Sequence, residues 1–291
     1  MDVSFEKYMC LLPESFSDFE KLRCTLFLAS EQGRLWLTHY MLQLQYNQVT
    51  GDLSFSKDFI EDCLSHFIKV ACMKKHTCMH DVSEALTDHC WIWCELWQGP
   101  DSFPCWVYGA DKAAQTINVL GCTPSGLKQK DLPVNQFVEM LFRDVDIIEL
   151  QLFSAEKPRA KFAPIFLQEK INLFLEGIDL SCLEKQTNNI LWGLAALQAC
   201  LQAPTFAKQN VCLLQEHLRF MKYRLQLWRK TFVCNTKELE DLICQLQTDL
   251  QKLEANYIPE NKKLYYEDMK NYYKQLNQFI KETWICDCHL I

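Results

Sequence analysis

The stretch Val211–Phe232, VCLLQEHLRFMKYRLQLWRKTF, decides the fold class that the sequence predicts. Its apolar residues are separated by steps of three and four in strict alternation, which is the spacing of a coiled-coil seam. Residues 194–291 contain no glycine, and their only prolines are Pro204 and Pro259. Because glycine and proline are the residues that most often end helices, we expect long helices in this part of the chain.

The apolar pattern continues past Asn235, a polar position of the kind that fixes register in coiled coils. Between Leu246 and Leu250 it takes a second consecutive step of four, which is a stutter. A helix over residues 211–255 would be on the order of 65 Å long. Part of its stripe must therefore meet either the folded-back last helix or another chain. That last helix is predicted over residues 262–281, with a seam of Tyr265, Met269, Tyr272, Leu276 and Phe279. The predicted partner-binding seam consists of Val211, Leu214, Leu218, Met221, Leu225, Trp228, Phe232, Leu239, Leu242, Leu246, Leu250 and Leu253.

Upstream of this stretch, helix signals also recur. The run Asp81-Val82-Ser83-Glu84 has the spacing of a capping box and predicts a Trp-rich helix to Trp97. Gly99–Gly109 is predicted as a loop, and Asp111 as the cap of a short helix that ends at Gly121. Only Val145–Phe153 alternates as a strand would, and a strand or a helix end both remain open there.

Several further helices are predicted. Three of them are expected within 14–46, over Ile165–Glu176 with Gly177 as its stop, and from the capping box at Ser181 to Gln202. The expected fold class is therefore all-α. A compact helical N-terminal domain covers residues 1–204, and long coiled-coil-forming helices with a break at Pro259 cover residues 205–291.

The composition indicates a soluble, intracellular protein. Hydrophobic residues make up 49% of the 291 residues and charged residues 23%, which is typical of a folded chain. The N-terminus lacks the basic and then apolar pattern of a signal peptide, and no apolar run is long enough to span a bilayer. We expect a cytoplasmic protein that has no membrane partner, with a nuclear location left open, and its 16 cysteines reduced. The net charge of −7 argues against wholesale binding of nucleic acid.

Cysteines and histidines cluster at two places where they could ligate a metal ion. The first cluster has the ligand types of a zinc site, but no pair in it has the two-residue gap of a zinc knuckle, so core cysteines and surface histidines are the alternative. The second, Cys286-Asp287-Cys288-His289, lies next to the chain end, where fraying is normal. We expect no bound metal at either place. The first cluster consists of Cys72, His76, Cys78, His80, His89, Cys90 and Cys94.

Motifs of catalysis and of cofactor binding are missing from the sequence. There is no Gly-x-Ser-x-Gly, no phosphate-binding glycine-rich loop, no His-Glu-x-x-His and no dinucleotide fingerprint. Asp144 and Asp146 form a carboxylate pair, but a solvated strand edge or helix end explains them equally. We therefore expect neither an enzyme nor a cofactor, and no small-molecule ligand.

Basic residues on the long helix suggest a second kind of surface. Together with Phe220, Tyr223 and Trp228 they could meet an acidic surface, such as nucleic acid or the acidic face of tubulin. The alternative is the solvated side of a helix. The basic residues are Arg219, Lys222, Arg224, Arg229 and Lys230.

Part of the chain resembles a known group of proteins. Val119–Pro124, Leu132-Pro133 and Phe137–Phe142 resemble the helix-turn-helix stretch of divergent calponin-homology-like domains, which precede a coiled coil in centriolar, ciliary and kinetochore proteins. Within that group, Leu218–Lys230 and the aromatic final helix up to Trp284 are similar to the family of the first subunit of the tubulin epsilon and delta complex. The resemblance implies a scaffold at centrioles that supports the delta and epsilon tubulins and triplet microtubules.

These observations together predict a non-enzymatic scaffold or assembly subunit of an intracellular multiprotein complex. Its partners would be protein subunits bound through coiled-coil helices, with tubulin family members as candidates and the centriole or centrosome as a location. The alternative is a chromosome- or nucleic-acid-associated adaptor that uses the basic helix.

Overall fold

Strands as well as helices build the protein, so the expected all-α fold is wrong. The computed structural model describes residues 11–28, 34, 43–56, 68–73, 90–98, 101–123, 126–141, 148–152, 164–178, 189–204, 206–232 and 234–285. The chain divides into two compact units. Unit 1 comprises residues 1–30 and 60–161, and unit 2 comprises residues 31–59 and 162–291. This boundary differs from the division at residue 204 that the sequence suggests, because residues 162–204 and an N-terminal segment fold with the long helices.

Unit 1 is built on a six-stranded antiparallel sheet. Its strands lie in the order β3-β8-β4-β5-β6-β7. Helix α1 spans Asp18–Leu28 and α2 spans Val134–Leu141. The strands are β3 (Ile68–Met73), β4 (Cys90–Gln98), β5 (Asp101–Asp111), β6 (Thr116–Thr123), β7 (Gly126–Pro133) and β8 (Ile148–Leu152).

The Trp-rich segment and the two segments after it are strands instead of the predicted helix, loop and helix. In β4 the buried residues Cys94 and Leu96 are two positions apart, as on one face of a strand, and aromatic residues are common in strands. The predicted cap Asp111 accepts hydrogen bonds from the backbone N–H groups of Ala113 and Ala114, so it closes a turn between β5 and β6. The strand left open within Val145–Phe153 is confirmed as β8.

The two faces of this sheet pack against different helices. Cys94, Cys105, Val107 and Ile117 belong to one buried cluster with Phe137 of α2. Trp106 points to the other face, where its indole Nε1 donates a hydrogen bond to the carbonyl oxygen of Leu22 in α1 at 2.8 Å. Because successive side chains of β5 point to opposite faces of the sheet, β5 contributes both to the core under α2 and to the core under α1.

Unit 2 combines a small sheet with five α-helices and a π-helical turn among its described residues. The sheet has the antiparallel order β2-β1-β9, and Gln45 of β1 pairs with both Ser54 and Trp192. Helix α3 confirms the helix predicted over Ile165–Glu176, whereas α4 begins only at Gly193, after a strand. The elements are β1 (Leu44–Asn47), β2 (Asp52–Phe55), α3 (Pro164–Glu176), β9 (Ile190–Trp192), α4 (Gly193–Gln202), α5 (Lys208–Phe232), α6 (Lys237–Ala255) and α7 (Pro259–Ile280).

The predicted 65 Å helix is two helices in the structure. Asn235 does not act as a polar seam position, because its side-chain Oδ1 accepts a hydrogen bond from the backbone N–H of Lys237 at the start of α6. Pro259 is the first residue of α7, where its missing N–H leaves no helical hydrogen bond unmade. A π-helical turn, Lys281–Ile285, follows α7. None of the described helices has the length and apolar character needed to cross a membrane.

Candidate protein-binding groove

The predicted seam lies mostly inside unit 2. The side chains of Leu214, Met221, Leu225, Trp228 and Leu246 have relative exposures of 0%. Val211, Leu218, Leu239, Leu250 and Leu253 are also buried, and the side chain of Phe232 lies outside the described residues. In this fold the seam is therefore packing within the chain, which is the intramolecular alternative that the sequence left open. Charged replacements there would test folding before they tested binding.

At two predicted seam positions the neighbouring residue is buried instead of the predicted one. In α6 the buried stripe runs through Ile243 instead of Leu242, which is only half-buried. In α7 it ends at Ile280 instead of Phe279, which is also half-buried. With Ile243 in place, the α6 stripe takes steps of four and three throughout, so the predicted stutter disappears. The sequence could not choose between adjacent apolar residues, because both fit a period of 3.6.

Leu242 and Phe279 both line an open groove between the start of α6 and the end of α7. The groove has a volume of about 670 Å³. Buried Leu239 also contributes to it, and the Phe279 ring stacks on the Trp228 ring at a centroid distance of 6.2 Å. The lining residues are Asn235, Glu238, Leu239, Asp241, Leu242, Gln245, Asn271, Gln275, Gln278, Phe279 and Glu282.

The groove is negatively charged. Glu238, Asp241 and Glu282 contribute carboxylates, and none of the lining residues that the structure describes is a lysine or an arginine. Lys237 forms an ion pair with Asp241 at 2.6 Å, and this hydrogen-bonded contact raises the pKa of the lysine. The remaining polar wall consists of Asn and Gln amides, of which Gln278 bonds to Glu282. An apolar floor between acidic and amide walls suits a peptide that carries apolar and basic side chains.

The predicted basic surface of α5 is smaller than the sequence indicates. Arg224 is fully buried, and burial lowers the pKa of its guanidinium. Arg219 lies 3.6 Å from Glu216, and Arg229 lies 3.3 Å from Glu240. These ion pairs offset part of the positive charge that a phosphate backbone would need.

The other candidate sites lie partly outside the described residues. Cys72 is on β3, and Cys90 and Cys94 are on β4, but His76, Cys78, His80 and His89 are not described. The same holds for 286–289 and for Asp144 and Asp146. In the part of the chain that the structure does describe, no three His, Cys, Asp or Glu side chains come together as metal ligands.

The stretch that carried the calponin-homology-like resemblance is largely extended. Val119–Cys122 lies in β6 and Leu132-Pro133 in β7, which are paired antiparallel strands, and only Val134–Leu141 is helical. The expected helix-turn-helix is therefore wrong at this place. Comparison of the chain with protein-family models, with curated proteins and with solved structures finds no match.

Proposed function

We propose that the protein is a non-enzymatic assembly subunit that binds another protein through the groove between α6 and α7. The observation that carries this proposal is the position of Leu242 and Phe279, two large apolar side chains that remain partly exposed in an open groove. The occupant is an amphipathic helix of the partner, with an apolar anchor and flanking lysine or arginine residues. Such a helix would lie in the groove along α6 and α7, which is a common mode of peptide recognition.

The chemistry of the groove supports this occupant. Burial of the remaining exposed surface of Leu242 would contribute part of the roughly 1.5–3 kcal/mol of a fully buried leucine. Basic residues beside the anchor would face Glu238, Asp241 and Glu282. Because these carboxylates are exposed, they would contribute more to the association rate and to specificity than to affinity.

Two replacements in the groove and one matched control test the proposal. Leu242→Asp removes the apolar floor, and Glu238→Lys reverses a wall charge. Leu264→Asp is the control, because Leu264 is an exposed leucine of α7 that does not line the groove. We expect proteins that co-purify with the wild-type chain to be retained by the control and weakened at least about tenfold, or about 1.4 kcal/mol, by Leu242→Asp. Glu238→Lys should chiefly slow their association.

A photo-crosslinking residue at position 242 identifies the occupant directly. We expect it to capture a partner segment with apolar residues at helical spacing and adjacent lysine or arginine, and the same residue at position 264 to capture none. Equal retention of partners by Leu242→Asp and Leu264→Asp, with both variants folded by circular dichroism, would contradict the proposal.

The finer proposal is a centriolar or microtubule-linked complex that includes delta or epsilon tubulin. It rests only on the resemblance of the Leu218–Lys230 and α7 stretches, since the N-terminal part of that resemblance fell on strands. Proximity labelling from the tagged chain tests this proposal. We expect centriolar proteins to be enriched among the labelled proteins. The alternative of a nucleic-acid adaptor has less support, because Arg224 is buried and Arg219 and Arg229 pair with glutamates.

A further inference from the structure

A cysteine pair in unit 1 is placed for covalent bonding. Cys94 of β4 and Cys105 of β5 are directly opposite each other in the antiparallel register. Their Sγ atoms are 3.2 Å apart, and both residues have 0% exposure. We propose that Cys94 and Cys105 form a reversible modification site, at which a peroxide oxidant converts the two thiols to an intramolecular disulfide.

The backbone geometry allows this bond. Opposite residues of an antiparallel pair have Cα atoms about 4.5–5.5 Å apart, inside the range of about 4.4–6.8 Å that disulfides occupy. A disulfide has an S–S bond of about 2.05 Å, so the sulfurs must approach by roughly 1.1 Å. Rotation of the two side chains with a small approach of the strands supplies this distance. No rearrangement of the sheet register is required.

The chemical balance of the reaction is simple. A thiolate attacks hydrogen peroxide, which gives a sulfenic acid and hydroxide, and the second thiol then displaces water from the sulfenic sulfur. In total, two thiols and one peroxide give one disulfide and two waters. The sulfurs lose two electrons, and the peroxide oxygens gain them.

The surroundings make the reaction slow and selective. Burial and the adjacent Cys94 thiol raise the pKa of Cys105 well above its ordinary value, so the reactive thiolate is scarce. Oxidation therefore requires an opening fluctuation of the hairpin. Once a sulfenic acid forms and the hairpin closes again, the second thiol is held beside it in the buried pair, and the disulfide is the expected product instead of overoxidation.

Peptide mass spectrometry of the full chain tests the proposal. After incubation with hydrogen peroxide and blocking of the remaining thiols, we expect a linked peptide pair that contains Cys94 and Cys105, lighter by two hydrogens and separated by dithiothreitol. Cys24 is the matched control, because it is a buried thiol of the same unit whose pKa burial also raises. Linked peptides of Cys24 should be at least about tenfold less abundant.

Two results would overturn the inference. One is oxidation confined to the exposed Cys212 and Cys244, with Cys94 and Cys105 recovered as separate blocked peptides. The other is persistence of the same linked mass in Cys94→Ala, which would assign the bond to another pair. Because the wild-type chain supplies the first readout, a folding defect of the variant does not prevent the test.

Discussion

His217 of α5 and Tyr273 of α7 join two helices through a contact in the interior of unit 2. The imidazole Nε2 lies 2.7 Å from the tyrosine hydroxyl, and both residues have 0% exposure. The imidazole is stacked between the rings of Phe55 and Phe174 at centroid distances of 6.0 and 6.1 Å. A polar pair is thus fixed in an aromatic environment, where each partner depends on the other for its hydrogen bond.

Tyr273→Phe should destabilise the protein by about 1–3 kcal/mol, because it leaves the buried Nε2 without a partner. The Nδ1 atom of the same ring already has no hydrogen bond to a described residue. Denaturant unfolding measures the change. Tyr266→Phe, at a half-buried tyrosine of the same helix, is the control and should change the free energy of unfolding by less than about 0.5 kcal/mol. Equal effects of the two replacements would show that the contact contributes nothing.

The stability of unit 2 should fall when the pH falls below about 6.5. Burial, followed by the nearby Arg224 charge, lowers the pKa of His217 from 6.5 to about 3. Between these two pKa values the unfolded chain binds a proton that the folded chain excludes. The contribution of His217 to the free energy of unfolding is therefore complete above pH 6.5 and is lost as the pH falls toward 3. The slope should approach about 1.4 kcal/mol per pH unit. Unfolding of His217→Gln at pH 5 and pH 7 should show a smaller pH dependence than the wild type.

An acidic pair between α6 and α7 should give the opposite pH dependence. Burial and the neighbouring Asp249 carboxylate raise the pKa of Asp268 to about 6. Asp249 is buried and accepts hydrogen bonds from Gln245 and Lys252. The folded chain therefore holds a proton on Asp268 that the unfolded chain releases above about pH 4. The contribution of this proton to the free energy of unfolding is lost as the pH rises through 6.

Replacement of that carboxyl isolates the effect. Asp268→Asn keeps a hydrogen-bond donor toward Asp249 at every pH, so it should stabilise the protein at pH 7.5 and not at pH 4. The gain should be below about 1 kcal/mol, since Asp268 is partly exposed and water screens the pair. Thermal unfolding of the variant and the wild type at both pH values measures it. A stability gain of the same size at both pH values would contradict a proton held on Asp268 beside Asp249.

Gly193 at the start of α4 should tolerate no side chain. Its φ is +55°, and an added Cβ would collide with the carbonyl oxygen of Phe174 and lie 2.8 Å from the Phe174 Cα. Gly193→Ala should cost about 2–4 kcal/mol from backbone strain and overpacking together. Gly51→Ala is the control, since its φ is +76° but the nearest atom to an added Cβ is 3.8 Å away. It should cost about 1 kcal/mol, and a comparable loss at both sites would remove the steric argument.

The sequence by itself determined that most of residues 211–281 are helical and which stripe of α5 is apolar. Leu214, Leu218 and Leu225 are buried as their spacing requires, because a period of 3.6 places them on one face of any helix. The helix predicted over Ile165–Glu176 was also readable from the local pattern, whereas the alternation within Val145–Phe153 left open a strand or a helix end.

Tertiary structure decided the sheet of unit 1 and the position of the groove. The capping-box spacing at Asp81 and the turn residue Asp111 fit a helix start locally, but pairing of β4, β5 and β6 buries Cys94, Cys105 and Val107 on one face and Trp106 on the other. The choice of Ile243 over Leu242, and of Ile280 over Phe279, likewise depends on which neighbour covers each helix. Adjacent apolar residues are equivalent in a helical period, and only packing against α5 and between α6 and α7 makes one of them buried and leaves the other in the groove.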